Sequence, residues 1–266
     1  MQPINLNASD IAAWAVRLWW PMLRIGGFVA TAPLISATAV PARVKIALTL
    51  AIGFLLAPSV QVPAGLSIFS ATGVLAAGQE MMIGLAIGTV VQIGFEALSF
   101  AGQIIAMTMG LSFATLIDPQ RGANSPALGQ LFVIFATLLY LALDGHLLLL
   151  GELANSYRSL PIGAAHLDGR LGLAVAQWGG SIFETGLLIA LPAVISLIIV
   201  NFALGVVTRA APQLNLFGVG FPLTLLAGFV VLIVGMNGTL AASNRVIQSA
   251  LAAVAELTAA PVPRVP

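Results

Sequence analysis

Residues 71–112 read ATGVLAAGQEMMIGLAIGTVVQIGFEALSFAGQIIAMTMGLS, and the fold turns on whether this run is one helix or two. No proline occurs between Pro63 and Pro119. As one helix, Ala71 to Ser112 would be on the order of 60 Å long, about twice the hydrocarbon core of a bilayer. Either the chain turns near Gly94-Phe95-Glu96, or it rises beyond the membrane inside a larger assembly. Small residues recur along the run at helical spacing: Gly84 and Gly88, then Gly102, Ala106 and Gly110. That pattern lets another backbone approach closely, from the same chain as a hairpin or from another subunit.

The rest of the chain is equally apolar. Of its 266 residues 59% are hydrophobic and 7% charged, against about 25% charged in soluble domains. Too little polar surface remains to cover a water-soluble globule, so the class is an integral membrane protein. A net charge of +1 and a single lysine, Lys45, argue against nucleic acid, which demands clustered Lys and Arg. With no cysteine, disulfides, thiolate nucleophiles and cysteine–metal sites are excluded. Residues 1–10 contain Asp10 and no basic n-region. The first span is therefore expected to stay in the mature protein, although Ala30-Thr31-Ala32 superficially resembles a cleavage site.

Apolar stretches of spanning length run roughly 11–32, 71–93, 94–117, 128–150, 182–207 and 217–241. Val44 to Ala57 is shorter and suits a buried or re-entrant segment. Trp14, Trp19 and Trp20 fit an interfacial anchor. Arg43 and Lys45 form the only basic pair in a short connection, which weakly places that connection on the cytoplasmic side. No repeat or soluble domain interrupts the chain. The expectation is one integral-membrane domain over 1–266, with a short disordered tail at about 259–266.

The stretch Gly110–Pro126, GLSFATLIDPQRGANSP, is the most polar interruption. It comes within one residue of the G-x-S-x-G turn that presents a catalytic serine, and Asp144 and His146 follow in triad order. Phe113 and Ala114 follow Ser112 in an apolar, helical context, and Asp144 and His146, two apart, would diverge on a helix. Asp144-Gly145 reads better as a turn. A helical dyad of Ser112 and His146 has no visible oxyanion hole. Two histidines without clustered acids give no metal-ligand set, and no P-loop motif occurs, so energy must come from partners or an ion gradient.

Ionisable residues within apolar segments are costly and usually functional. Arg17 and Arg24, seven apart, share one helix face, and Glu80, Glu96 and Glu184 lie in or beside later spans. A proton-coupled transporter would use such acids as carriers; an assembly subunit would use them in ion pairs. Single scattered acids without a repeated half favour pairing. Met81, Met82, Met107 and Met109 are flexible fillers whose default role is core packing. In Asn201–Leu225, NFALGVVTRAAPQLNLFGVGFPLTL, Arg209, Pro212, Gln213 and Asn215 are tolerable at membrane depth only against protein or water.

At this last segment the chain resembles the FliR family, the flagellar members of the type III secretion export-gate subunits. Arg209-Ala-Ala-Pro-Gln-Leu-Asn-Leu-Phe followed by Gly220-Phe221-Pro222 looks like that family's most specific motif. Val40-Pro41-Ala42-Arg43-Val44-Lys45 looks like its Pro-x-Arg-x-Lys connection, and Gly110-Leu-Ser-Phe-Ala-Thr with Asp118-Pro119 resembles its central loop. Gly145-His146 and Leu160-Pro161-Ile162-Gly163 are also similar to family positions. The Gly-Phe-Pro ending looks flagellar rather than virulence-type.

The resemblance implies an all-α membrane protein of helical hairpins packed into a multi-subunit export gate, with much of the assembly on the periplasmic side. It implies FliP-type and FliQ-type partners, other export-gate components and unfolded flagellar proteins as cargo. The implied location is the bacterial inner membrane at the flagellar basal body, with no cofactor, catalytic residue or metal. It also assigns Gly110, Leu111, Ser112, Phe113, Leu116, Ile117, Asp118 and Pro119 to a plug in the channel lumen. A pore wide enough for an unfolded chain leaks ions unless apolar bulk seals it. Leu111, Phe113, Leu116 and Ile117 would supply that bulk, with Gly110, Pro119 and Gly122 as hinge points. Arg209, Pro212, Gln213, Asn215, Phe221 and Pro222 are assigned to assembly. A proton-coupled secondary transporter is the alternative, followed by an intramembrane serine protease.

Overall fold

One continuous helix runs from Ala71 to Thr108, so of the two alternatives the chain takes the single long helix rather than a turn near Gly94-Phe95-Glu96, and the expected spans 71–93 and 94–117 belong to one element. The computed structural model describes residues 8–63, 66–111, 127–163, 170–211 and 220–259. All regular elements among these are helical: α1 (Ala8–Thr31), α2 (Ala42–Leu56) with a 3-10 turn (Ala57–Ser59), α3 (Ala71–Thr108), α4 (Ala127–Ala142), α5 (Gly145–Ser159), α6 (Arg170–Ala210) and α7 (Phe221–Ala259). The expected disordered tail lies outside the described residues beyond Ala259.

Among the described residues, four helical segments are long and apolar enough to cross a membrane: Ala42–Ser59, Ala71–Thr108, Leu171–Ala210 and Phe221–Ala259. The broken pair α4–α5 makes a fifth if counted as one span. At about 1.5 Å per residue, α3, α6 and α7 each reach roughly 60 Å, twice a bilayer core of about 30 Å. The count of six spans thus measured apolarity rather than crossings. The expected span 128–150 breaks at Asp144, which adopts the left-handed conformation (φ 53°). Aspartate tolerates that region better than most residues, and the Asp144 carbonyl accepts from the amides of Leu147 and Leu148, starting α5.

α3 ends on a motif that needs glycine. The Leu111 amide donates to the Ala106 carbonyl and the Gly110 amide to the Met107 carbonyl, both at 3.0 Å. Gly110 sits at φ 82°. This paired bonding around a left-handed residue is the Schellman arrangement, which satisfies orphan carbonyls at a helix end. Leu111 then folds back onto the cluster containing Ala106, completing the hydrophobic contact the motif favours.

Contacts divide the chain into two compact units, the first comprising Met1–Gln92, Asp144–Trp178 and Ala250–Pro266. Here α1 and α3 cross on glycines. A Cβ on Gly27 would meet the Met81 carbonyl, one on Gly84 the Arg24 carbonyl, and one on Gly88 the Thr31 hydroxyl. Close backbone approach of this kind takes the place of hydrophobic driving force between membrane helices. Trp20 is fully buried and clusters with Ala76, Tyr157 and Ile162. It is a core residue, whereas Trp14 and Trp19 stay exposed as an anchor requires. α2 is neither buried nor amphipathic in this chain: Ile46, Phe54 and Leu55 are exposed, Gly53 is its buried residue, and Phe54 stacks on Trp14.

The second unit comprises Ile93–Leu143 and Gly179–Ser249. Its core holds Ala101, Ile105, Ala106, Met109, Leu128, Phe132, Ala190 and Leu197. Gly102 faces the backbone of Leu128 and Gly129, and Gly186 faces Ala97 and Phe100. Tyr140 meets Phe95 edge-on at 5.5 Å, an arrangement aromatic quadrupoles favour. Gly84, Gly88 and Gly102 therefore pack within the chain, the hairpin reading of the small-residue pattern. Of the four methionines expected in the core, only Met109 is buried; Met81, Met82 and Met107 are exposed.

Candidate functional site

An arginine inside an apolar helix is costly unless its donors find acceptors, and Arg24 of α1 makes four hydrogen bonds to α3, to α5 and to the residue that follows α5. Its Nε donates to Glu80 Oε2 of α3 at 2.8 Å and its Nη2 to Glu80 Oε1 at 3.0 Å. Nη1 donates to Ser156 Oγ of α5 at 2.9 Å, and Nη2 also to the Leu160 carbonyl at 2.7 Å. The Ser156 hydroxyl donates its own hydrogen bond to the Leu153 carbonyl, leaving its lone pairs for the guanidinium. Arg24 and Glu80 are 0% and 1% exposed. The guanidinium lies 4.2 Å from the centre of the Tyr157 ring, a cation–π contact strengthened by desolvation. The Tyr157 hydroxyl donates to the Pro21 carbonyl of α1.

This cluster fixes three helices at one point. The planar fork of arginine matches a carboxylate bidentately, so the Arg24–Glu80 pair sets both the spacing and the rotation of α1 on α3. Beside it, the glycine contact between Gly84 and the Arg24 carbonyl brings the two backbones close enough for the fork to reach. The arrangement holds charge in place and offers no nucleophile or vacant ligand. Among the described residues, no group of three His, Cys, Asp or Glu side chains could hold a metal.

The remaining charged candidates are placed differently. Arg17, Glu96 and Glu184 are exposed, so Arg17 and Arg24 share a helix but not an environment. Asp144 is exposed at the start of α5, and His146 is half-buried with no hydrogen-bond partner for its Nδ1. Of the plug residues, Gly110 and Leu111 form the end of α3, while Ser112, Phe113, Leu116, Ile117, Asp118 and Pro119, with Gly122, lie outside the described residues. Of the assembly residues, Arg209 is exposed in the last turn of α6. Phe221 and Pro222 open α7, where proline's missing amide is harmless. Pro212, Gln213 and Asn215 lie outside the described residues.

Three contributors escaped the sequence reading: Ser156, Tyr157 and the Leu160 carbonyl. The available signal was a polar pair, Ser156-Tyr157, just before Leu160-Pro161-Ile162-Gly163 at the end of an apolar helix. A second unexpected feature is the apolar surface of α6 and α7, where Phe183, Ile199, Phe202, Leu226, Ile233 and Val234 are exposed. Such area calls for lipid or another protein.

The sequence model of the family described as bacterial export proteins, family 1, matches residues 15–250. The chain is 41% identical over 226 residues to the flagellar biosynthetic protein FliR of Escherichia coli strain K12, covering 85% of this chain and 86% of that one. It is 40% identical over 229 residues to the protein of the same name from Pectobacterium carotovorum, covering 86% and 87%. Across a wider distance it is 34% identical over 218 residues to FliR of Bacillus subtilis strain 168, covering 81% and 84%.

Proposed function

This chain belongs to the bacterial export proteins, family 1, and from that premise we propose that it is a core subunit of the flagellar type III protein export gate. In this reading it joins FliP-type and FliQ-type subunits in the inner membrane at the flagellar basal body. Together they form the channel through which unfolded flagellar proteins leave the cytoplasm, and the connection after Gly110 plugs that channel at rest. The chain acts as a structural part of the conduit and catalyses no reaction; the energy for transport comes from other components.

The observation that carries the reading is the family match running through nearly the whole chain, from residue 15 to 250. The buried ion pair supports it, because Glu80 is locked to Arg24 and so is ill suited to shuttle protons. The long exposed apolar helices support it too, since a subunit needs surface for its neighbours.

The test is complementation. Cells of the source bacterium lacking this chain should lose secretion of flagellar proteins, and the chain supplied in trans should restore it. Normal flagellar secretion without it, or proton-coupled solute uptake by the purified chain in liposomes, would overturn the reading.

A further inference from the structure

Asn201 is an exposed amide in the apolar helix α6, between Val200 and Phe202. Wherever such a surface meets lipid or a neighbouring subunit, a primary amide needs partners for both its oxygen and its nitrogen. The structure supplies one on each side. Asn201 Nδ2 donates to the Thr108 carbonyl at 3.2 Å. Thr108 is the last residue of α3, and its carbonyl is among those a helix end leaves without an intrahelical partner. On the other side, the Thr224 hydroxyl lies 3.2 Å from Asn201 Oδ1 and 3.0 Å from the Gly220 carbonyl. Its single proton is shared between these two acceptors in the first turn of α7.

One side chain thus bridges the C-terminus of α3, where the chain leaves for residue 112, to the N-terminus of α7, where it returns after residue 219. A second contact joins the same two ends. Met109, fully buried, lies with its side chain directly on Gly228 of α7, where a Cβ would collide with it. Leu225 and Leu232 pack on the cluster that contains Met109.

We propose that Asn201 is a positioning residue that couples the base of the 112–126 connection to the base of the 212–219 connection, so that the ends of α3 and α7 shift as one body. A displacement at either base is then carried to the other through the amide. On the export-gate reading above, flagellar secretion depends on this coupling, and that consequence rests on the reading; the bridge itself does not.

The absence of cysteine in the chain makes the test clean. Spin labels are placed at Met107→Cys and Leu223→Cys, both exposed positions flanking the bridge, in the purified full-length chain in lipid nanodiscs. The expected distance distribution is narrow. Asn201→Leu and Thr224→Val should each broaden it at least about twofold, and the double variant should be no broader than either single. Thr224→Ser, which keeps the hydroxyl, should restore the narrow distribution. Unchanged widths in both single variants, or a double variant whose broadening is the sum of the two, would overturn the coupling. Thr224→Val is close to isosteric and supplies the answer if Asn201→Leu fails to fold. Flagellar secretion measured alongside separates the two ideas: lost coupling with normal secretion overturns only the transport consequence, whereas the distances stand or fall without any secretion at all.

Discussion

Arg24 and Glu80, 56 residues apart in the chain, share two hydrogen bonds of 2.8 and 3.0 Å with neither side chain reaching solvent. Withdrawing two charges from water costs several kcal/mol per ion, and their attraction recovers this only when every remaining donor and lone pair is used. Ser156 and the Leu160 carbonyl take two further guanidinium bonds. The pair therefore specifies how α1, α3 and α5 meet more than it stabilises the chain outright.

Breaking one half should consequently be worse than removing both. Glu80→Met and Arg24→Met are each expected to destabilise the purified chain by about 3–5 kcal/mol, because a buried charge loses its partner. The double variant Arg24→Met with Glu80→Met should lose less than either single. Glu184→Gln, at an exposed position, should change stability by less than about 0.5 kcal/mol. Thermal unfolding in detergent checks all four. A double variant as unstable as the sum of its singles would refute the coupling.

The glycine crossing predicts a contrast within one helix. At Gly84 a Cβ would overlap the Arg24 carbonyl, whereas at Gly78 it would meet nothing within 4 Å. Gly84→Ala should cost about 1–3 kcal/mol as an overpacked contact and displace the ion pair beside it. Gly78→Ala should be neutral or stabilising by about 0.5–1 kcal/mol, since alanine loses less entropy in a helix. Equal melting temperatures for the two variants would mean that the helices are not held this close.

How much of this was legible follows from what each signal can see. Composition fixes the class, and the missing prolines between Pro63 and Pro119 allow a helix as long as α3, because nothing in the run removes an amide or ends a turn before Gly110. The cost of a buried charge singles out Arg24 and Glu80, yet it applies equally to Arg17, Glu96 and Glu184. Which charges meet is decided by a contact 56 residues apart. Trp19 and Trp20 look alike in sequence, but neighbours on a helix point about 100° apart, and one is exposed while the other is core. Ser156, Tyr157 and Asn201 were missed for a similar reason. A lone polar residue in an apolar helix announces a cost, not the partner that offsets it.

The end of α3 predicts a graded response at Gly110. With φ at 82°, alanine there should cost about 1–2 kcal/mol, and asparagine, which tolerates the left-handed region, clearly less. Hydrogen exchange at the amides of Gly110 and Leu111, both bonded in the Schellman motif, reads the local effect. Faster exchange in Gly110→Ala than in Gly110→Asn is expected; identical rates would mean that the motif does not hold the helix end.

The proposed plug makes a prediction about ions rather than proteins. If apolar bulk after Gly110 seals the channel, replacing Leu111, Phe113 and Leu116 together with glycine removes the groups that exclude water. Planar-bilayer recordings of the gate reconstituted with its FliP-type and FliQ-type partners should then show at least tenfold higher conductance at rest. Ser112→Ala should leave conductance and secretion close to wild type, since that reading gives the hydroxyl no chemistry. Unchanged conductance in the triple variant would remove the plug from the proposal.

Arg209 supplies the last test, because charge and shape can be separated there. It stands exposed in the final turn of an apolar helix, where any cation is favourable to the helix dipole by about 0.3–1 kcal/mol. If that were its whole role, Arg209→Lys would behave as wild type and Arg209→Ala would cost only that small amount of stability. A partner-facing role requires more, because the guanidinium fork holds a carboxylate or carbonyl pair in a way a point charge does not. The proposal therefore expects Arg209→Ala to lose co-purification with the FliP-type and FliQ-type subunits while the chain still accumulates in the membrane. Arg209→Lys should recover only part of it. Pull-down of the tagged chain, with its membrane level measured in parallel, checks both, and intact co-purification of Arg209→Ala would sink the assembly role.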